Sequence, residues 1–181
     1  YGMWSDSLSI TLKGTPTALS MPMGVTSVCA NGQNKTYTVT AANVDSYLWT
    51  MNPVSAGQFV GSIEESSVEV DFTDTYSGQM YLTVAGVNEC GTGQNSSPLN
   101  VNINAQPSIP NIVLETGEKI YCKGENVELS AQGDSIVWYH NSNEISNNFY
   151  QINNIQSTQN ISARKYSSHG CQSGLATKQV Q

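Results

Sequence analysis

The sequence predicts an all-β chain built as two β-sandwiches in tandem. Three observations predict it. Apolar and polar residues alternate with a period of two in run after run, turn clusters separate the runs, and the second half repeats the layout of the first. No window combines sustained i, i+3, i+4, i+7 apolar spacing with helix caps.

The strands can be justified in order. Thr36-Tyr37-Thr38-Val39-Thr40-Ala41 alternates polar and apolar. In Ser67-Val68-Glu69-Val70-Asp71-Phe72 the period sends Val68, Val70 and Phe72 inward and Glu69 and Asp71 outward. Met80-Tyr81-Leu82-Thr83-Val84-Ala85 and Leu99-Asn100-Val101-Asn102-Ile103 follow. The second half supplies Asn126-Val127-Glu128-Leu129-Ser130-Ala131, Ser135-Ile136-Val137-Trp138-Tyr139, Tyr150-Gln151-Ile152-Asn153-Asn154-Ile155 and Asn160-Ile161-Ser162-Ala163. Turns fall at Ala30-Asn31-Gly32, Asn52-Pro53, Tyr76-Ser77-Gly78, Gln132-Gly133-Asp134 and His169-Gly170.

The repeat is visible in the punctuation. Gly24 precedes Cys29 by five residues, and Gly117 precedes Cys122 by five. An alternating strand and then a Trp follow each, Trp49 and Trp138. Each half then reaches a second Cys beside a Gly, at Cys90-Gly91 and Gly170-Cys171. The boundary is Ala105-Gln106-Pro107-Ser108-Ile109-Pro110, where two prolines remove ladder donors and stiffen the joint. The expected domains are residues 15–105 and 106–181. Ser5-Asp6-Ser7-Leu8-Ser9-Ile10-Thr11-Leu12 resembles Ser96-Ser97-Pro98-Leu99-Asn100-Val101-Asn102-Ile103. Residues 1–14 therefore read as the closing strand of a preceding domain, and the chain as part of a longer array.

Composition narrows the function. The 181 residues suffice for two small domains. Charged residues make up 12%, against about 25% in an average globular protein. The 18 Asn, 23 Ser and 15 Thr together approach a third of the chain and give a polar but uncharged surface. A net charge of −7 argues against a nucleic-acid partner. No stretch approaches the roughly 20 apolar residues of a membrane helix, so no membrane insertion is expected. The charge is uneven: residues 15–105 carry seven acids and one base, residues 106–181 six acids and five bases.

The four cysteines form no C-x-x-C pair and read as structural disulfides of an oxidising compartment. Four cysteines allow three connectivities. The expected pairing is Cys29–Cys90 and Cys122–Cys171, because each copy carries its own matched pair. The alternative, Cys29 with Cys171 across the joint, suits the poles of the usual sandwich better, because a seven-residue strand spans about 23 Å while disulfide Cα atoms lie within about 7 Å.

The Cys…Trp…Cys order in each copy is that of an immunoglobulin-like sandwich. Asn88 and His169 stand where an antibody-type domain has its corner tyrosine. The first copy resembles the PKD-like domains (polycystic-kidney-disease type) of Bacteroidota surface proteins. Ser46-Tyr47-Leu48-Trp49-Thr50, Ala56-Gly57, Val68-Glu69-Val70, Ser77-Gly78 and Ala85-Gly86-Val87-Asn88-Glu89-Cys90-Gly91 carry the resemblance. The second copy resembles immunoglobulin-like modules of type IX secretion cargo. Its carrying residues are Tyr121-Cys122-Lys123-Gly124-Glu125-Asn126-Val127-Glu128-Leu129, Val137-Trp138-Tyr139 and His169-Gly170-Cys171-Gln172-Ser173. The resemblance implies an extracellular array on a large adhesin, a gliding protein or a secreted hydrolase, and it brings no catalytic residues with it.

Candidate chemistry is sparse. The two histidines, His140 and His169, both read as exposed turn residues, and no nucleophile elbow or phosphate-binding loop occurs. Glu64, Glu65, Glu69, Asp71 and Asp74 form the densest acidic group. A calcium site at Glu69, Asp71 and Asp74 is the candidate metal reading, weighed against a solvated anionic face. Trp49 and Trp138 read as core rather than as sugar platforms. Tyr139 and Tyr150 are the aromatic residues expected to face outward from the second copy.

The sequence thus points to a non-enzymatic spacer and adhesion segment of a secreted or cell-surface protein. Its partners are expected to be neighbouring domains of the same chain, and a surface glycan or another cell-surface protein. The alternatives are a glycan- or partner-binding module that uses calcium, and an accessory segment of a secreted hydrolase.

Overall fold

A computed structural model describes residues 12–40, 44–117 and 120–181. The expected strand at residues 1–14 falls almost wholly outside them, as do Trp4 and Ala41. The described chain is all-β: fifteen strands, with a single 3-10 turn at Val54–Ala56.

In the first sandwich, β2 (Lys35–Thr38), β5 (Ser67–Phe72) and β4 (Gly57–Val60) form one sheet in the order β2-β5-β4. The other sheet runs β1-β8-β6-β3, from β1 (Ser27–Cys29), β8 (Leu99–Asn104), β6 (Gly78–Asn88) and β3 (Ser46–Asn52), with the short β7 (Gly91–Thr92) paired to β6. Alternation does the sorting. Val68, Val70 and Phe72 of β5 and Leu99 and Val101 of β8 are buried, while Glu69, Asn100 and Asn102 face out. Trp49 and Tyr37 are fully buried among them.

One stretch breaks the period: Val84, Ala85 and Gly86 of β6 are buried in succession. The segment around Pro16 and Leu19 lies across the outer side of the strand there. A Cβ on Gly86 would meet Val44 at 2.6 Å and Pro16 at 3.1 Å, and one on Gly93 would sit 2.1 Å from the Pro16 carbonyl oxygen. Both positions admit glycine because no room for a side chain exists.

In the second sandwich, β13 (Phe149–Ile152), β10 (Val127–Ala131) and β9 (Ile112–Leu114) form one sheet. The other runs β12-β11-β14-β15, from β12 (Asn143–Ser146), β11 (Ser135–His140), β14 (Gln159–Tyr166) and β15 (Ala176–Val180). Val127, Leu129, Ile136, Trp138, Ile161 and Ala163 form its centre, all at most 1% exposed.

The two sandwiches share devices that show one architecture. Each core tryptophan donates its indole N–H to a backbone carbonyl at 2.8 Å, Trp49 to Glu65 and Trp138 to Asn147. Each also has one buried serine that grips its neighbouring strand. Ser96 donates its N–H to the Val84 carbonyl, its Oγ accepts from the Val84 N–H, and its hydroxyl donates to the Ser97 carbonyl. Ser173 does the same with Lys165 and with the Gly174 carbonyl.

By compactness the chain divides into two units. One takes in the chain up to Val28, Gly32–Thr73 and Gln79–Asn102; the other takes in Cys29–Asn31, Asp74–Gly78 and Ile103–Gln181. The disulfide lies within the latter. It joins Cys29 to Cys171, 142 positions apart in sequence, with Cα atoms 5.5 Å apart.

This corrects the pairing favoured by copy symmetry. Cys29–Cys90 and Cys122–Cys171 do not form; Cys90 and Cys122 are free, exposed thiols. The reason is strand length. Ala30 donates to the carbonyl of Asn104, at the end of β8, whereas Cys90 sits at the turn after β6, near the start of β8. Six residues of β8 separate them by about 20 Å. Cys122 and Cys171 are parted likewise: Tyr121 donates to Gln181, past the end of β15, and Cys171 precedes that strand.

Candidate functional site

The second sandwich carries a polar, aromatic groove on the outer face of its four-stranded sheet. Strand β14 places Ser162, Arg164 and Tyr166 on one face by alternation. Tyr139 of β11 lies opposite Ser162, and Glu144 of β12 lies opposite Tyr139. Directly paired residues of antiparallel strands share a face, so these side chains converge. Gln172 and Leu175 close the far side, leaving a shallow groove of about 530 Å³.

The hairpin after β14 fixes that far side. Gly170 turns it with a φ of +77°, a conformation that suits glycine. Ser167 donates to the Cys171 carbonyl, and Tyr166 bridges to Gln172. Cys171 is 1% exposed and tied to Cys29, so the disulfide anchors the residue beside Gln172.

Within the groove the Tyr139 and Tyr166 hydroxyls hydrogen-bond at 3.2 Å. That bond, with burial as the smaller cause, pushes the Tyr139 phenol up to about 12. Ser162 bonds Thr177 on the neighbouring strand at 2.8 Å. Arg164 is half-buried, and among the described residues no carboxylate comes within ion-pair distance of it.

The residues singled out from sequence are placed as follows. Trp49 and Trp138 are 1% and 0% exposed. Tyr150 leans on Trp138 with ring centroids 5.7 Å apart and is half-buried rather than a free outward platform. His140 is not an exposed turn residue. It ends β11 half-buried, its Nδ1 2.7 Å from the Tyr150 hydroxyl and its Nε2 2.9 Å from Gln159 Oε1. His169 is exposed in its turn. The two histidines thus sit in separate surroundings, each bonded to structural neighbours, and neither lies beside a serine–carboxylate pair among the described residues.

The acidic strand is not gathered into a cage. Glu69 accepts from the Asn34 amide at 3.4 Å, Asp71 accepts from the Gln58 amide at 3.2 Å, and Asp74 lies past the end of β5. Among the described residues no group of three or more His, Cys, Asp or Glu side chains is arranged to hold a metal ion.

Sequence reasoning named Tyr139 but missed the rest of the groove. Arg164 is the one arginine of the chain, and its alternation with Ser162 and Tyr166 was the available signal. What the sequence could not provide was Glu144, whose strand carries no apolar alternation.

Comparison with known proteins gives one family match and several similar solved structures. Residues 15–101 match the family described as PKD-like domain. No curated protein matches the chain. Among solved structures, the chain is similar to the FN1–FN3 domains of chicken CNTN1, with 12% identity and a TM-score of 0.44 over 94% of this chain and 69% of that one. It is similar also to the fibronectin(III)-like modules of Clostridium thermocellum CbhA, with 13% identity and a TM-score of 0.41 over 91% and 90%. The human OSCAR ligand-binding domain follows at 14% identity and a TM-score of 0.33, over 90% and 100%. The match to the PKD-like domain family spans residues 15–101, about half of the chain, and the all-β architecture itself stands on the strand order and sheets described above.

Proposed function

We propose that this chain is a non-catalytic spacer and adhesion segment of a large secreted or cell-surface bacterial protein. The observation that carries the reading is the Cys29–Cys171 bond, which closes 142 positions of a 181-residue chain. A pull applied through the two ends travels from the N-terminal segment into Cys29, across the bond to Cys171, and out through the last ten residues. Residues 30–170 lie outside that load path. Apart from the ladders that hold β1 to β8 and β15 to β14, their strands and cores need not resist the force, and extension is limited to the segments outside the bond.

Other features support the same reading. Both cores are filled, with Trp49 and Trp138 at their centres. The surface is rich in Asn, Ser and Thr and poor in lysine, which leaves few ionic contacts and few tryptic sites. A long-range disulfide belongs to an oxidising compartment, and no helix among the described residues is long and apolar enough to cross a membrane. PKD-like and immunoglobulin-like domains commonly serve as spacers or adhesive modules, and the resemblance to Bacteroidota arrays and type IX secretion cargo supports a bacterial surface as the setting.

Single-molecule extension tests the reading. Pulled from its ends without reductant, the chain should yield only the length of its terminal segments. With reductant, residues 30–170 should add on the order of 500 Å at about 3.3–3.6 Å per residue. Equal extension with and without reductant would contradict the load-bypass role.

A further inference from the structure

From the groove on the second sandwich we infer that this chain binds an acidic saccharide, with Arg164 taking the sugar carboxylate and Tyr139 and Tyr166 supplying the aromatic platform. The proposal adds a ligand to the spacer reading and does not depend on it.

Three features of the groove lead there. First, Arg164 is half-buried and carries no carboxylate partner among the described residues. A guanidinium presents a planar fork of donors that fits a carboxylate with two parallel hydrogen bonds. A side chain held partly out of water and lacking an anion has that capacity unspent. Second, two tyrosines flank it, their hydroxyls tied together at 3.2 Å, so both rings are held in place before a ligand arrives. Tyrosine offers an apolar face to a sugar ring and a polar edge to its hydroxyls. Holding the rings beforehand reduces the ordering cost of binding. Third, Glu144 and Gln172 also line the groove. One accepts and the other both donates and accepts, the mixture that vicinal hydroxyls require.

The shape agrees with one or two sugar units rather than a buried cofactor. The groove is an open trough of about 530 Å³ along the sheet face. Its walls are strands rather than loops, apart from the hairpin that Cys171 pins to Cys29. A peptide partner would find little apolar depth here, since Leu175 is the one aliphatic lining residue.

Isothermal titration of the full chain tests the inference, with polygalacturonate and alginate oligosaccharides as acidic probes and dextran and xylan oligosaccharides as neutral ones. Binding to at least one acidic probe is expected, weakened at least tenfold by Arg164→Ala and by Tyr139→Ala. Arg164→Lys should recover only part of the loss, because an ammonium lacks the fork. Tyr81→Ala, which removes an exposed tyrosine of the first sandwich, should change nothing. Thermal unfolding of each variant shows that it folds. No binding to either acidic probe, equal binding of the neutral probes, or binding unmoved by Arg164→Ala would each overturn the site. Such a failure leaves the extension experiment untouched, so the two readings fall separately.

Discussion

Trp138 and Ser173 illustrate how single residues hold these thin cores. Each tryptophan fills the sandwich centre and spends its one donor on a loop carbonyl. Replacing Trp138 by Ala should cost about 3–5 kcal/mol of stability, read by denaturant unfolding. The buried serines were not legible in the sequence, because nothing marks one Ser among 23. Their cost should be measurable all the same. Ser173→Ala leaves the Lys165 N–H without that partner, and a loss of about 1–3 kcal/mol is expected. Raised phenols should be visible in a spectrophotometric titration, with Tyr37 and Tyr150 raised by burial and Tyr139 chiefly by its hydrogen bond to Tyr166. Tyr37 is raised to about 12 by burial, and Tyr139 to about 12 chiefly by Tyr166. Both are raised in the folded state, so the stability they contribute is fully present below pH 10 and is lost as the pH rises from about 10 to about 12. A tyrosine spectrum with no phenol still protonated above about pH 11 would contradict this. His140 was misread for a plain reason: its Tyr150 and Gln159 partners come from other strands.

At the scale of elements, alternation was a sound guide wherever one strand face is core. β5, β8, β10 and β11 lie where the period of two puts them. It was silent for β4 and β12, which lie at sheet edges. All four residues of β12 are exposed, so no inward set marks it. It also failed at the end of β6, where the segment near Pro16 covers the outer face and buries both sides. That cover is testable. Gly93→Ala would drive a Cβ into the Pro16 carbonyl at 2.1 Å. Displacing the segment should lower stability by about 1–3 kcal/mol and speed hydrogen exchange at Gly93, whose N–H donates to Gly86. Gly14→Ala, with open space around it, should leave both unchanged.

For the whole molecule, the repeat, the two cores and the turn punctuation were legible, and the covalent plan was not. Copy symmetry argued for one disulfide per half. Strand length argued against it, and geometry prevailed, because a bond cannot span the length of β8 or β15. The consequence is a covalent loop that takes in residues 29–171. In the chain-entropy treatment a loop of 142 positions is worth about 5 kcal/mol, so Cys171→Ser should lower stability by up to that amount. The most direct test of the account is to place a specific protease site within residues 105–110, cleave without reductant, and run the product on a denaturing gel before and after reduction. The Cys29–Cys171 bond requires one linked species that separates into two fragments only when reduced. Two fragments released without reductant would contradict it, and with it the limited-extension spacer.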